Sequence, residues 1–227
     1  VDILIEDISY DSRTIKDKSM FICIRGYNVD GHDYIDEAIK KGATAILIDK
    51  KVRYEKNVTY IKVKDTKEAM SIVAKNFFKN PCDKINLIGI TGTNGKTSTV
   101  SFIKQILGYD CKVGYMGTIE IFDGKDNIKS KNTTPESLDI QRSLSNMIKN
   151  DCKYCVMEVS SHALALGRVE NMDYNVGVFT NLTQDHLDFH KNIENYKRAK
   201  EKLFYKTKSI NLFNLDDVVG EEFFKNN

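Results

Sequence analysis

"GITGTNGKTSTV", residues 89–100, is the stretch on which the reading of this chain turns. It has the chemistry of a phosphate-binding loop without the usual spacing. Four residues normally separate the first glycine from the Gly-Lys pair, and that count back from Gly95 and Lys96 lands on Ile90. The flanks supply the context. "KINLIGI" before the loop is a short apolar run that reads as a buried strand, and Val100, Ile103, Ile106 and Leu107 after it recur at helical spacing. Strand, glycine-rich turn and helix are what a phosphate site requires. Gly92 and Gly95 let the backbone approach an anion, and the helix start directs free N–H groups at it. Lys96 can reach the outer phosphates, and the Thr97 hydroxyl can hold Mg2+. The alternative is a tight turn that merely contains a lysine. Gly-Lys-Thr opening a helix straight after a buried strand argues against it.

Composition bounds the class. The 227 residues are 41% hydrophobic and 29% charged, with a formal net charge of +2. That is ordinary for a globular protein, and the charge is too small to imply nucleic acid. No apolar run reaches membrane-spanning length, and the acidic "VDILIEDISYDSR" start lacks a signal-peptide pattern. Five scattered cysteines suit reduced thiols in a cytoplasmic protein. Cys152 and Cys155 form a lone CxxC with no second pair, and read as strand-start and core residues rather than zinc ligands.

The pattern changes near "FFKNPCDK", around Pro81. Upstream, "SMFICIRG" and "ATAILIDK" read as strands. "HDYIDEAIKKG" reads as a helix stopped by Gly42, and "DTKEAMSIVAKNFFK" as a helix capped by Asp65 or Thr66. Residues 1–82 are therefore expected to form a small α/β domain. Residues 83–227 alternate strands ("KYCVMEVSS", "VGVFTNL", "SINLF") with helices ("IENYKRAKEKLF"), which implies an α/β domain with a mostly parallel sheet.

Three further clusters lie in the second region. Glu158 in "VMEVSSH" comes near the end of an apolar strand, where a parallel sheet presents its ligands, and could ligate Mg2+. A solvated, idle strand-end charge is the alternative. "NLTQDHLDFH" places His186 and His190 at i, i+4, a spacing that can suit zinc. The metalloprotease glutamate is absent, however, and a merely exposed His190 is the alternative. "NTTPES" puts Thr133 and Thr134 before Pro135, as hydroxyl and amide donors or simply as a helix start.

Together, "TGTNGKTS", "NTTPESLD", "MEVSSHAL", "GRVE", "NLTQDHLDFH" and "NYKRAKEKLF" resemble the Mur ligases of peptidoglycan precursor synthesis, in particular the MurE branch. "DSRTIKDKSMFICIRGYNVDGHDYIDEAIKKGATAILID" is similar to the UDP-sugar-binding domain of that branch. The family's loop has this same T-G-T-N-G-K-T form, which accounts for the unusual spacing.

The resemblance implies an ATP- and Mg2+-dependent ligase acting on UDP-MurNAc-L-Ala-D-Glu and an amino acid, meso-diaminopimelate by preference and otherwise L-lysine. ATP would phosphorylate the D-glutamate carboxylate, and an amine would attack the acyl phosphate. It implies that Ser12, Tyr27, Asn28 and Val29 line the uridine diphosphate pocket. Asn132, Thr133, Thr134, Ser160 and Arg168 would grip the diphosphate–muramoyl part. Thr93, Asn94, Gly95, Lys96, Thr97 and Ser98 would hold ATP, with Asn214 close by. Thr97 and Glu158 would hold one Mg2+, and His186 and Lys200 a second, Lys200 as a carbamate in the family's "YxxAK" pattern. Leu166 departs from the pattern, since some MurE enzymes carry a glutamine there. Nucleic-acid and membrane partners are not expected, and a cytoplasmic monomer is. The related chains are much longer and carry a third domain for the amino acid, so residues 1–227 alone are expected to bind but not ligate. The rivals are a P-loop NTPase switch, a non-catalytic UDP-sugar-binding module, and a related ligase such as folylpolyglutamate synthetase.

Overall fold

The computed structural model describes residues 3–26 and 29–226. By its contacts the chain divides into two compact units, residues 1–74 and 75–227. The division falls ahead of the expected boundary at 82.

The first unit contains β1 (Asp7–Ser9), β2 (Ser19–Ile22), α1 (Ile35–Lys40), β3 (Ala43–Ile48) and β4 (Thr59–Lys62). Its sheet runs β1-β2-β3-β4, with every pairing parallel. Phe21, Ile46 and Ile48 on the sheet pack with Ile35 and Ala38 of α1. Helix α2 (Thr66–Phe77) follows, its first N–H groups bonded to the Asp65 carboxylate (Lys67 N 2.7 Å, Glu68 N 3.1 Å). Asp65 is thus the capping residue.

In the second unit come β5 (Asn86–Thr91), α3 (Lys96–Leu107), β6 (Val113–Met116), β7 (Glu120–Phe122), β8 (Asn127–Lys129) and α4 (Ser137–Lys149). Then follow β9 (Tyr154–Glu158), α5 (Ser161–Ala165), β10 (Tyr174–Phe179), α6 (Leu187–His190), α7 (Ile193–Tyr205), β11 (Thr207–Phe213) and α8 (Val218–Asn226). The strand order is β11-β10-β5-β9-β6-β7-β8. The five strands from β11 to β6 are parallel, and β7 and β8 add an antiparallel edge. The expected α/β architecture with a mostly parallel sheet is what forms.

Side chains alternate across β5. Ile88 and Ile90 join Val113, Val156 and Val100 of α3 on one face. Leu87 faces the other way, toward a larger core with Leu144 and Met147 of α4 and Leu203 and Phe204 of α7. Two helical faces differ from their sequence reading. Ile106 is 66% exposed, so α3 seats itself through Val100, with Ile103 and Leu107 half-buried. Ile193 is also exposed, and α7 instead buries Tyr196, Ala199, Lys200, Leu203 and Phe204. That set follows the i, i+3, i+4, i+7, i+8 stripe of a helix laid on a core. Among the described residues, no helix is long and apolar enough to cross a membrane.

Candidate active site

The loop after β5 is built on two left-handed glycines. Gly92 has φ 151° and Gly95 φ 85°, a region L side chains rarely enter. A Cβ on Gly92 would collide with the Thr180 hydroxyl beyond β10. The segment after β10 braces the loop. Asn181 O accepts from Thr93 N (2.8 Å), Asn181 Oδ1 from Asn94 N (3.0 Å), and the Thr180 hydroxyl donates to Asn94 O (2.6 Å). Helix α3 opens at Lys96, so its unpaired N–H groups and dipole face the loop. Thr97 and Ser98 are exposed in its first turn.

Glu158 ends β9, one strand away. It is 1% exposed, so it is not a solvated strand-end charge. Its Oε1 accepts from the Thr97 hydroxyl (3.0 Å) and Thr118 N (2.9 Å), and its Oε2 lies 3.1 Å from the Thr118 hydroxyl. A cleft of about 180 Å3 opens here, lined by Thr97, Val100, Tyr115, Gly117 and Glu158 among others. Thr97 and Glu158 thus offer adjacent hard oxygens, one of them anionic, at the mouth of a phosphate loop. That donor set fits a Mg2+ that keeps waters and phosphate oxygens as its other ligands.

Two lysines from distant parts of the sequence meet at the loop. Lys96 Nζ donates to Gly92 O (2.9 Å) and Thr93 O (2.8 Å), and Lys200 Nζ donates to the same Gly92 O (2.7 Å). Lys200 is 1% exposed, and its Nζ sits 4.4 Å from the Tyr196 ring centroid. Burial, reinforced by the Lys96 charge and opposed by Asp185, pulls the Lys200 pKa down to about 6. Burial lowers Lys96 as well, opposed by Glu158 and Asp185. A free amine donates hydrogen bonds or stands neutral, and supplies no anionic oxygen to a metal. As an unmodified lysine, Lys200 therefore does not fit a Mg2+ site; a carbamate on it would.

His186 is half-exposed, at φ 51°, with Nε2 3.4 Å from Asp185 Oδ2. It packs edge-on against His162, ring centroids 4.8 Å apart. Exposure was the alternative to a zinc-like role for His190; it is buried instead, with Nε2 2.9 Å from Ser161 Oγ. Helix α6 is a single turn, and its end is tucked against α5 rather than turned to solvent. Burial first, then the charges of His162, Lys200 and His186, lower the His190 pKa to about 4. Among the described residues, no cluster of three or more His, Cys, Asp or Glu is arranged for a metal.

The "NTTP" segment is tied to the end of β9. Thr134 is fully buried; its hydroxyl donates to Glu158 O (2.9 Å) and accepts from Ser160 N (2.9 Å). Ser160 caps α5 through its own hydroxyl. Arg168 donates to Thr134 O (3.1 Å), and its Nε approaches Glu136 Oε1 at 2.9 Å. The Thr133 hydroxyl lies 3.1 Å from that of Thr118, while Asn132 is exposed. Leu166 sits at the C-terminal end of α5, its N–H bonded to His162 O. Asn214 donates to Thr180 O (2.9 Å), behind the residue that braces the loop.

In the first unit, Ser12 is buried in a 3-10 turn. It donates to Glu37 Oε2 (3.1 Å), and its carbonyl accepts from Lys41 (3.2 Å). Val29 is exposed. Tyr27 and Asn28, expected in the same pocket, lie outside the described residues.

Sequence reasoning passed over four residues at the site: Thr118, Thr180, Asn181 and Tyr196. The first three follow the C-terminal ends of parallel strands, the edge where such sheets bind ligands. That position was the available signal. Tyr196 is the tyrosine of the "YxxAK" pattern, but its hydroxyl reaches Thr93 (3.1 Å) only through the fold.

Comparison with known proteins agrees with this geometry. The profile of the Mur ligase middle domain matches residues 90–227, and that of the Mur ligase family catalytic domain matches residues 4–78. The UDP-N-acetylmuramoyl-L-alanyl-D-glutamate–2,6-diaminopimelate ligase of Clostridioides difficile (strain 630) is 52% identical over 98% of this chain and 46% of its own. The ligase of the same name from Alkaliphilus oremlandii (strain OhILAs) is 49% identical over 97% and 45%. A solved structure of a ligase of that name superposes with a TM-score of 0.78 at 25% identity, covering 97% of this chain and 45% of that one. This chain thus spans about half the length of the curated relatives it matches.

Proposed function

The chain belongs to the Mur ligase family, and from that premise we propose that it forms the nucleotide- and UDP-substrate-binding part of a ligase that adds meso-diaminopimelate to UDP-MurNAc-L-Ala-D-Glu. The observation that carries this reading is the convergence of Lys96 and Lys200 on the Gly92 carbonyl. Burial lowers the pKa of the second lysine to about 6, so a neutral amine stands beside Lys96 at the loop, a pairing that a simple phosphate loop with one lysine lacks. The relatives named above supply the substrate class.

The residues divide the work by their chemistry. The N–H groups opening α3 and the Lys96 ammonium bind the ATP phosphates. Thr97 and Glu158 hold Mg2+, which would neutralise charge between the phosphates when bound. Asn132, Thr133, Thr134, Ser160 and Arg168 orient the muramoyl dipeptide, and Ser12 with Tyr27, Asn28 and Val29 the uridine diphosphate. The D-glutamate carboxylate attacks the γ-phosphorus, ADP leaves, and an acyl phosphate remains. The amine then attacks the acyl carbon, phosphate departs, and the amine loses a proton. Lys200, held neutral by burial, would add CO2 and release one proton to become a carbamate, which together with His186 would hold a second Mg2+.

The test is ADP formation by the complete product of the gene encoding this chain. ADP should appear only when ATP, UDP-MurNAc-L-Ala-D-Glu and diaminopimelate are all present, with L-lysine a poorer amine. Phosphate release from ATP without the UDP substrate would support an NTPase switch instead.

A further inference from the structure

Glu158 is buried among hydroxyls, and Thr118 makes two of its contacts. Thr118 follows β6, the strand beside β9, and its N–H and side chain meet opposite oxygens of the carboxylate (2.9 and 3.1 Å). Gly117 makes the close approach possible: a Cβ there would overlap Glu158 Oε1. Thr118 Oγ1 also lies 3.1 Å from Thr133 Oγ1. A hydroxyl carries one proton, and an ionised carboxylate only accepts. Thr118 Oγ1 is placed as donor to both Glu158 and Thr133; its one proton goes to Glu158, the charge-assisted and stronger bond, and Thr133 is the competing acceptor.

We propose that Thr118 is a positioning residue: it aims the Glu158 carboxylate at Thr97 and links it to the Thr133 loop. This rests on the proposed function, since it assumes that Thr97 and Glu158 hold the metal of MgATP. Two donors from one residue fix both the rotation and the tilt of the carboxylate, leaving the oxygen nearest Thr97 facing the loop. Residues that hydrogen-bond a metal-binding carboxylate set its orientation and basicity, and losing one costs on the order of 10- to 100-fold in metal affinity. Because Thr133 is placed to accept the same proton, whatever moves the Thr133 loop also acts on the metal carboxylate.

The experiment measures Mn2+ affinity in the presence of saturating ATP, read by electron paramagnetic resonance, so no turnover is needed. Thr118→Val keeps shape and backbone N–H but removes the hydroxyl. It should weaken Mn2+ binding on the order of tenfold or more, while ATP affinity without metal stays unchanged. Thr118→Ser should restore wild-type affinity, which a packing role for the methyl group would not allow. Thr133→Val removes the competing acceptor, so Mn2+ affinity should equal or exceed that of wild type, and any gain should disappear in the Thr118→Val background. Equal Mn2+ affinity in wild type and a folded Thr118→Val protein overturns the proposal. If wild type itself binds no Mn2+ with ATP, or Glu158→Gln binds it as well as wild type, the metal assignment fails instead.

Discussion

Both oxygens of Glu158 accept hydrogen bonds at a position 1% exposed, which fixes a carboxylate where solvent cannot screen it. Glu158→Gln preserves that shape and removes the charge. It should abolish the Mg2+ dependence of ATP binding while leaving UDP-substrate affinity intact, measurable by calorimetry with and without Mg2+; equal loss of both would mark a folding role. Lys200 gives the pH dependence. Its folded pKa is lowered from 10.5 to about 6, chiefly by burial. Above pH 10.5 neither folded nor unfolded chain carries this proton, so it costs nothing. As pH falls from 10.5 to 6, the unfolded chain takes a proton the folded one refuses, so stability is lost across that window and no further below it. Lys200→Met should therefore gain most over wild type near pH 6 and least near pH 10, in urea melts free of CO2. Added bicarbonate at neutral pH should stabilise wild type and not the variant, because a ligand that binds only the folded state stabilises it.

Helix α7 delivers Lys200, and its stability should be felt at the loop. Asn192 caps it by accepting from Asn195 N (2.8 Å). Leu203, fully buried one turn beyond Lys200, anchors it to the core under the sheet. Leu203→Ala should cost about 2–5 kcal/mol by denaturant unfolding, and Asn192→Ala about 1 kcal/mol. The loop after β5 fails differently. Gly92→Ala combines a left-handed φ with a clash against Thr180, so it should cost roughly 1–3 kcal/mol in strain and also lose ATP binding in the folded fraction. The spacing of Ile193, Tyr196, Ala199 and Leu203 announced α7 as a helix with an apolar face, and all but Ile193 are buried. Phe204 joins that stripe by packing against Phe179, Phe213 and Phe223.

At the scale of the molecule, the two units carry separate hydrophobic cores. Ligand binding should stabilise the unit that holds the site. At 100 times its dissociation constant, MgATP should add about 2.7 kcal/mol to the stability of residues 75–227. Hydrogen exchange should report this as slower exchange of the amides in β5, β9 and β10, whose C-terminal ends carry the loop, Glu158 and the Thr180–Asn181 brace. Unchanged exchange in those strands with nucleotide bound would count against the site.

The loop, its strand and its helix were legible because their signals are local: glycines, a Gly-Lys-Thr triplet and an apolar run lie within a dozen residues, and backbone geometry follows from neighbours in the chain. The parallel sheet was legible for a related reason, since alternating strands and helices leave few ways to bury both faces. By itself, then, the sequence determined the fold class and offered the phosphate loop and the candidate Glu158, whereas Lys200 was singled out among neighbouring lysines only by the family pattern. It could not say that Glu158 is buried, that His190 is buried against Ser161, or that Lys200 meets Lys96 on the Gly92 carbonyl. Nor did it reveal Thr118. Those facts depend on contacts between strands and helices far apart in the chain, and burial and charge coupling, which set pKa values and the reach of a hydrogen bond, arise only when the tertiary structure brings them together.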